Sequence, residues 1–212
     1  MNVLEFGSLG ETWFNLVQLT LESGSPMSDE GWELLGVTVA FPATAEADPV
    51  LEALGNPEMI AEMKKVFFTE GPNSLGHSYL NQMRGPAGRN DFDDVIALLR
   101  AEPWTKRAAV SLCGPPNGKV PCINAVQFLV RDRAVRTSYF ARGQDAFQKF
   151  YADGLCLGLM AHKVARGLGL PAGKVVGFIA SSHLYRRDLP AIREVLARGQ
   201  THLHGQSKTG DR

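Results

Sequence analysis

Apolar positions along this chain fall into short runs of two kinds, helical and alternating. From Glu11 to Leu21 (ETWFNLVQLTL) they recur at helical spacing, and Ser23-Gly24-Ser25-Pro26 stops the run. Trp32 to Phe41 (WELLGVTVAF) is rich in β-formers and predicts a strand. Pro57 to Phe68 predicts a helix, with proline in a first turn that tolerates it. Gly71 to Gly88 holds several glycines and prolines and predicts mostly loop, with a short helix over Ser78 to Met83. Asp91 to Arg100 (DFDDVIALLR) is amphipathic, with its acidic residues at the positive end of the helix.

The centre is richer in strands. Ala108–Leu112, Cys122–Arg131 and Ala134–Ala141 each predict one, and the two-residue connection Asp132-Arg133 makes the last two a hairpin. Phe147 to Leu168 is a long, mostly apolar helix closed by Gly169 and Pro171, a pattern that buries most of its sides. Lys174–Ser181 is a further strand and Asp188–Arg198 a last helix. The polar tail from Gly199 onward predicts disorder. No repeat precedes that tail, so residues 1–198 read as one domain and 199–212 as a disordered extension. The order of elements lacks regular strand–helix alternation, which makes the expected class α+β.

Composition narrows the function more than the fold. With 44% hydrophobic and 21% charged residues, the chain has the make-up of a soluble globular protein. Its 22 basic and 22 acidic residues cancel, so no polyanion-binding surface for polymeric nucleic acid is expected. A small phosphorylated ligand needs only a few local cations and is still compatible. The cysteines Cys113, Cys122 and Cys156 are odd in number and include no CxxC pair, which argues against a disulfide framework and a zinc site. The N-terminus lacks a secretory pattern, and no apolar stretch approaches the ~20 residues of a membrane helix. The expected setting is cytoplasmic, reduced and away from membranes.

The candidate chemistry centres on Val120-Pro121-Cys122. A lone cysteine at the start of an apolar strand is ordinarily a small buried hydrophobe. Its neighbours in the sequence change that reading. Gln127-Phe128 follows, then Ala141-Arg142-Gly143-Gln144-Asp145, then Asp153 within the long helix, then His183-Leu184-Tyr185 after the last strand. Upstream stand Leu75-Gly76-His77-Ser78-Tyr79, Gln82-Met83-Arg84, and Lys106-Arg107 behind Glu102-Pro103.

These residues, in this order, resemble the thymidylate synthases and the related nucleotide hydroxymethylases. That family shows a Pro-Cys nucleophile, Gln-Phe five residues on, an Arg-Ser-x-Asp box and a His-x-Tyr. It also has a Leu-Gly-x-x-Tyr-Gly-x-Gln-Trp-Arg segment and paired arginines after an Asn-Pro turn. The resemblance covers roughly residues 75–195 and implies a large curved mixed sheet with helices packed on one side. It implies Cys122 as the thiolate that adds to C6 of a pyrimidine, so that C5 can attack a one-carbon donor. Arg142 favours the thiolate and holds the nucleotide phosphate. Lys106 and Arg107 reach that phosphate from the partner subunit of a homodimer. His183 and Tyr185 read a sugar hydroxyl. Asp145 faces the pterin of 5,10-methylenetetrahydrofolate, Tyr79 belongs to the catalytic set, and Gln127, Gly143 and Gln144 to the substrate-binding one. An uncovered apolar sheet face would itself favour a dimer.

Asp153 is the most informative departure. Thymidylate synthases carry asparagine there, paired with O4 and N3–H of uracil, whereas cytosine reverses that edge. A carboxyl group accepts from the 4-amino group and, when protonated, donates to N3. The cytidylate hydroxymethylases of the superfamily resemble this chain in having aspartate at that place. Other departures concern support. Ile123 and Asn124 follow the cysteine, where the family usually has histidine. Ser28-Asp29-Glu30-Gly31 replaces Asp-Arg-Thr-Gly-Thr, which removes one phosphate arginine. The helix with the family's catalytic glutamate has no clear counterpart; Glu58 and Glu62 stand at the right distance, and Glu62 is the candidate kept. The sequence also ends soon after its last helix, without the segment that closes over the folate, and water access suits hydroxymethylation.

Three readings follow. The chain is a hydroxymethyltransferase acting on CMP or dCMP, a methylating synthase acting on dUMP, or a divergent relative that uses another acceptor or only binds a nucleotide.

Overall fold

The computed structural model describes residues 2–27, 29–44, 48–70, 73, 78–83, 91–112 and 120–206, and in it the strands form one eight-stranded mixed sheet. The order across it is β1 (Asn2–Glu5), β3 (Gly31–Pro42), β8 (Ala172–Tyr185), β6 (Ala134–Ala141), β5 (Ile123–Arg131) and β4 (Ala109–Ser111). Two short strands lie off this path: β2 (Ser25–Met27) pairs with β3, and β7 (Gln144–Asp145) pairs with β8. The pairs β1–β3, β6–β8 and β7–β8 are parallel and the rest antiparallel.

Period-two alternation sorts the two faces of the sheet. Val37, Val39 and Phe41 of β3, Val175 and Ile179 of β8, and Val126 and Phe128 of β5 are buried. They meet helices α1 (Leu9–Ser23) and α6 (Phe150–Leu168) through Trp13, Leu16, Phe150, Leu157 and Met160. Each such large apolar side chain contributes roughly 1.5–3 kcal/mol on burial. Helices α2 (Pro49–Leu54), α3 (Pro57–Phe68), α4 (Tyr79–Met83), α5 (Asp91–Ala101) and α7 (Leu189–Gln206) complete the layer on that side. The other face carries a row that crosses the sheet: Val3 opposite Thr38, Thr38 opposite Phe178, Phe178 opposite Phe140, and Phe140 opposite Ala125. Val3, Phe140 and Phe178 in this row are exposed, and the two phenylalanine rings stack at 6.0 Å.

Local chemistry explains the element ends. Asn56 accepts from Glu58 N and Met59 N, and Pro57 follows, so α3 begins where the sequence predicts. Asp132 and Arg133 both take left-handed φ angles, 51° and 58°, the geometry a two-residue hairpin turn requires. Gly169, at φ 67°, ends α6.

Some expectations need correction. Helix α6 starts at Phe150 rather than Phe147, because Asp145 Oδ1 accepts from Phe147 N (3.2 Å) and Gln148 N (2.9 Å) and shapes a turn first. Helix α7 continues past Arg198 to Gln206. Gly199 is buried against Phe14, where an added Cβ would lie 2.2 Å from a ring carbon. Strands β1, β2 and β7 and helix α2 were not expected. Leu75, Gly76, His77, Arg84, Ser28 and Cys113 lie outside the described residues.

Candidate active site

Cys122 sits just before β5, half-buried and with a free thiol. The backbone around it is clamped from two sides. Arg142, at the end of β6, donates its Nε to Pro121 O (3.0 Å) and its Nη2 to Val120 O (2.6 Å). Asn124 donates Nδ2 to Pro121 O (3.0 Å) and accepts from Arg142 N (3.2 Å), which also donates to Cys122 O (3.0 Å). The β-bulge between Ile123 and Ala125 lets Asn124 turn in this way. Tyr79, almost wholly buried, accepts from Ile123 N at 3.4 Å, so its hydroxyl stands beside the nucleophile. Burial, followed by the charge of Asp153, holds that phenol well above its ordinary pKa and keeps it protonated. Burial and Asp153 also push the Cys122 thiol up, while Arg142 and Lys149 pull it back towards the thiolate.

Asp153 lies one turn into α6 and is 2% exposed. Gln144 Nε2 donates to its Oδ2 at 2.8 Å. Asp153 Oδ1 and Gln144 Oε1 are both buried without a hydrogen-bond partner. Desolvation raises the Asp153 carboxyl to about 7, against the stabilising bond from Gln144. Near neutrality this group is a proton donor as readily as an acceptor. Asp145, on β7, is also buried and its pKa raised by that burial; the backbone N–H of Gln148 and the charge of His183 oppose the rise. Both described hydrogen bonds to its carboxylate go to Oδ1. Oδ2 has no described hydrogen bond and would be open to N–H donors of a pterin, so the donor and acceptor chemistry here is compatible with a folate.

Two residues of this site escaped the sequence reading. Lys149 lies four residues after Asp145 and four before Asp153, and its charge acts on both carboxyls and on Cys122. The i, i+4 spacing with two carboxylates was the signal available. Asn124 read only as a substitution for the usual histidine, and its clamp depends on a bulge no sequence pattern marks.

At the other end, β7 runs beside β8, with Gln144 opposite Ser182 and Asp145 opposite His183. Ala146 N donates to His183 O at 3.0 Å. His183 and Tyr185 meet edge to face at 5.3 Å. Gly143 lies close to His183, with an added Cβ 3.7 Å from its Cε1. The structure thus gathers Cys122, Arg142, Tyr79, Asp153, Gln144, Asp145, Gly143, His183 and Tyr185 around the ends of β5, β6 and β8.

Lys106, Arg107, Gln127 and Glu62 are carried by the segment before β4, by β5 and by α3. Lys106 and Arg107 are exposed before β4, where Arg107 forms a double contact with Glu102 at 2.7 and 2.8 Å. Gln127 donates to Lys106 O (2.8 Å), which groups it with that cation pair. Glu62, half-buried on α3, pairs with Lys65 at 3.6 Å, and Glu58 is exposed at the start of that helix. A pocket of about 510 Å³ between α2, α3 and α6 is lined by Leu51, Ile60, Lys64, Leu155 and Leu159 and by none of the candidate residues. Among the described residues no group of three or more His, Cys, Asp or Glu side chains is placed to hold a metal ion, and no helix is long and apolar enough to cross a membrane.

A thiol with cationic neighbours, a carboxyl poised to give or take a proton, and a ring of polar side chains can add to and protonate a flat heterocycle. Comparison with known proteins agrees with that reading. Residues 56–206 match the family model described as thymidylate synthase. A protein of Methanothermobacter thermautotrophicus named "Putative thymidylate synthase" is 22% identical over 216 residues, covering 91% of this chain and 97% of that one. The thymidylate synthase of Listeria monocytogenes serotype 4a is 26% identical over 171 residues, covering 74% of this chain and 54% of that enzyme. The chain therefore spans about half the length of the Listeria relative.

Proposed function

Since this chain belongs to the thymidylate synthase family of one-carbon transferases, we propose that it hydroxymethylates C5 of a cytosine nucleotide, CMP or dCMP, through a Cys122 adduct. The observation that carries this is Asp153: a fully buried carboxyl, raised to about 7, with one oxygen held by Gln144 and the other unpartnered. Because Oδ2 accepts from Gln144, the proton of the neutral acid belongs on Oδ1, where it is available to a base. Cytosine offers N3 as the acceptor, and its 4-amino group needs the acceptor a carboxyl also provides.

The chemistry of the chain's own groups then follows. Cys122 Sγ bonds to C6, the C5=C6 pair shifts to C4=C5, and the C4=N3 pair becomes a lone pair that takes the Asp153 proton. The resulting enamine is nucleophilic at C5. Methylenetetrahydrofolate, the family's one-carbon donor, supplies a carbon at the oxidation level of formaldehyde. C5 would take up that carbon and lose its proton, and the carbon's bonds to the two donor nitrogens would break as those nitrogens take up protons. Water would add to the exocyclic carbon so released, and Sγ would leave as C5=C6 re-forms and N3 returns its proton to Asp153. The net gain is one CH2O with no reductant, and the donor recovers two protons. Arg142 keeps Cys122 in place and offers charge to the phosphate, Gly143 and Gln144 line the substrate, and Asp145 holds the folate. Glu62 remains the proposed acidic partner.

A homodimer through the uncovered sheet face belongs to the same proposal. The row from Val3 to Ala125 is the apolar surface it would bury, and exposed Lys106 and Arg107 would then serve the partner's phosphate. The second reading, methylation of dUMP, has the names of the relatives in its favour.

Separate incubations of the protein with CMP, dCMP and dUMP, each with methylenetetrahydrofolate and read by mass spectrometry, test the assignment. The expected product is a cytosine nucleotide heavier by CH2O, absent with Cys122→Ala. A methyl group gained by dUMP would instead establish the second reading.

A further inference from the structure

The turn between β2 and β3 carries Asp29 and Glu30, so the cation expected there is missing from that side of the site. We propose that Arg187 takes its place, binding the phosphate of a nucleoside monophosphate with a guanidinium laid over the Tyr185 ring. This rests on the nucleotide reading above, though not on the choice of base.

Strand pairing brings the two segments together. Gly31 lies opposite Tyr185, which sets the β2–β3 turn against the residues that leave β8. Arg186 and Arg187 are the first two of these, and they are used differently. Arg186 is bound to the turn: its N donates to Glu30 O (2.7 Å), its Nε to Asp29 O (3.1 Å), and its guanidinium lies over Trp32 at 5.1 Å. Its role is to pin the hairpin. Arg187 is 74% exposed in its side chain and lies over the Tyr185 ring at 4.3 Å. Its only described ionic contact is Nε to Asp188 Oδ2, at 4.0 Å, the outer limit for such a pair. Among the described residues its Nη1 and Nη2 have no hydrogen-bond partner.

That arrangement suits an oxyanion. Stacking on tyrosine fixes the guanidinium plane while its N–H edge stays free, so a bidentate phosphate contact forms with little further ordering. Asp29, Glu30, Tyr185, Arg186 and Arg187 line an open pocket of about 430 Å³. Tyr185 is the proposed sugar reader and meets His183 edge to face, and His183 lies opposite Asp145, so this pocket adjoins that end of the candidate site. The carboxylates of Asp29 and Glu30 oppose a dianion in the same pocket. They make a signed test available: loss of Arg187 and loss of a carboxylate should act in opposite directions.

Calorimetric titration of the full-length protein with CMP, cytidine, dUMP and deoxyuridine, alone and in the variants, is the test. Arg187→Ala should weaken both monophosphates about tenfold or more and leave both nucleosides unchanged, with partial recovery in Arg187→Lys. Asp29→Asn should tighten the monophosphates. Equal weakening of nucleotides and nucleosides, or no weakening at all, would overturn the proposal for Arg187 while leaving the nucleotide reading intact. A wild-type protein that binds neither monophosphate would overturn both.

Discussion

In the proposed reading substrate choice turns on Asp153, and the ionisation of that residue gives the choice a pH signature. Its carboxyl is raised to about 7 by burial, whereas in an unfolded chain it ionises near the ordinary aspartate value of about 3.9. An acid with a raised folded-state pKa contributes no penalty below the unfolded value. As pH rises from about 4 to about 7, the unfolded state loses its proton first and the native state loses stability, by up to about 4 kcal/mol above pH 7. Asp153→Asn should therefore flatten this part of the stability profile, as measured by denaturant midpoints at pH 5 and pH 8. The same change should shift preference from cytosine to uracil nucleotides. If Asp153→Asn showed the wild-type pH dependence, the buried-acid account would be wrong. Activity on cytosine should also fall above pH 7, as the proton for N3 is lost.

At the scale of elements, β8 and β6 form the centre of the sheet, and their packing depends on one missing side chain. Tyr139 lies directly opposite Gly177, and a Cβ on that glycine would come within 2.1 Å of the tyrosine ring. Tyr139 is itself buried. Gly177→Val should cost about 3 kcal/mol or more and appear as a large fall in Tm, with unaltered stability counting against the packing described. Elements were legible in the sequence where local chemistry and pattern agreed: the Asn56-Pro57 start of α3, the Asp132-Arg133 turn, the Gly169 stop. Helix α2 has a comparable signal in Asp48-Pro49, where Asp48 Oδ1 accepts from Val50 N and Leu51 N, but its six residues are too few for helical spacing to show. Strand β7 has two residues, too few for alternation to show, and exists only through its pairing with β8. Likewise the motif residues Cys122, Arg142, Asp153, His183 and Tyr185 were visible from their order in the chain. Lys149, Asn124 and Arg187 were not, because their importance comes from a helix start, a bulge and a strand end that meet only in three dimensions.

At the scale of the whole molecule, the sheet has one face covered by helices and one that carries the exposed row of Val3, Phe140 and Phe178. The stacked Phe140–Phe178 pair is the centre of the uncovered row. Phe178→Asp should place a charge in the proposed dimer interface, where separation into monomers relieves it. Light scattering should then report half the wild-type mass, with activity lost because Lys106 and Arg107 no longer reach a partner's site. A wild-type mass in that variant would move the dimer contact elsewhere. In the proposed reading, the parallel pairing of β7 with β8 has a wider consequence. Gln144 and Asp145, which serve base and folate, are rungs opposite Ser182 and His183, beside the sugar readers. Such a ladder works as a ruler: the spacing between the two ends of a bound molecule is measured by backbone, not by adaptable loops. A ligand with the correct ring and the correct hydroxyl, joined by an acyclic linker of another length, would satisfy one end only at the expense of the other.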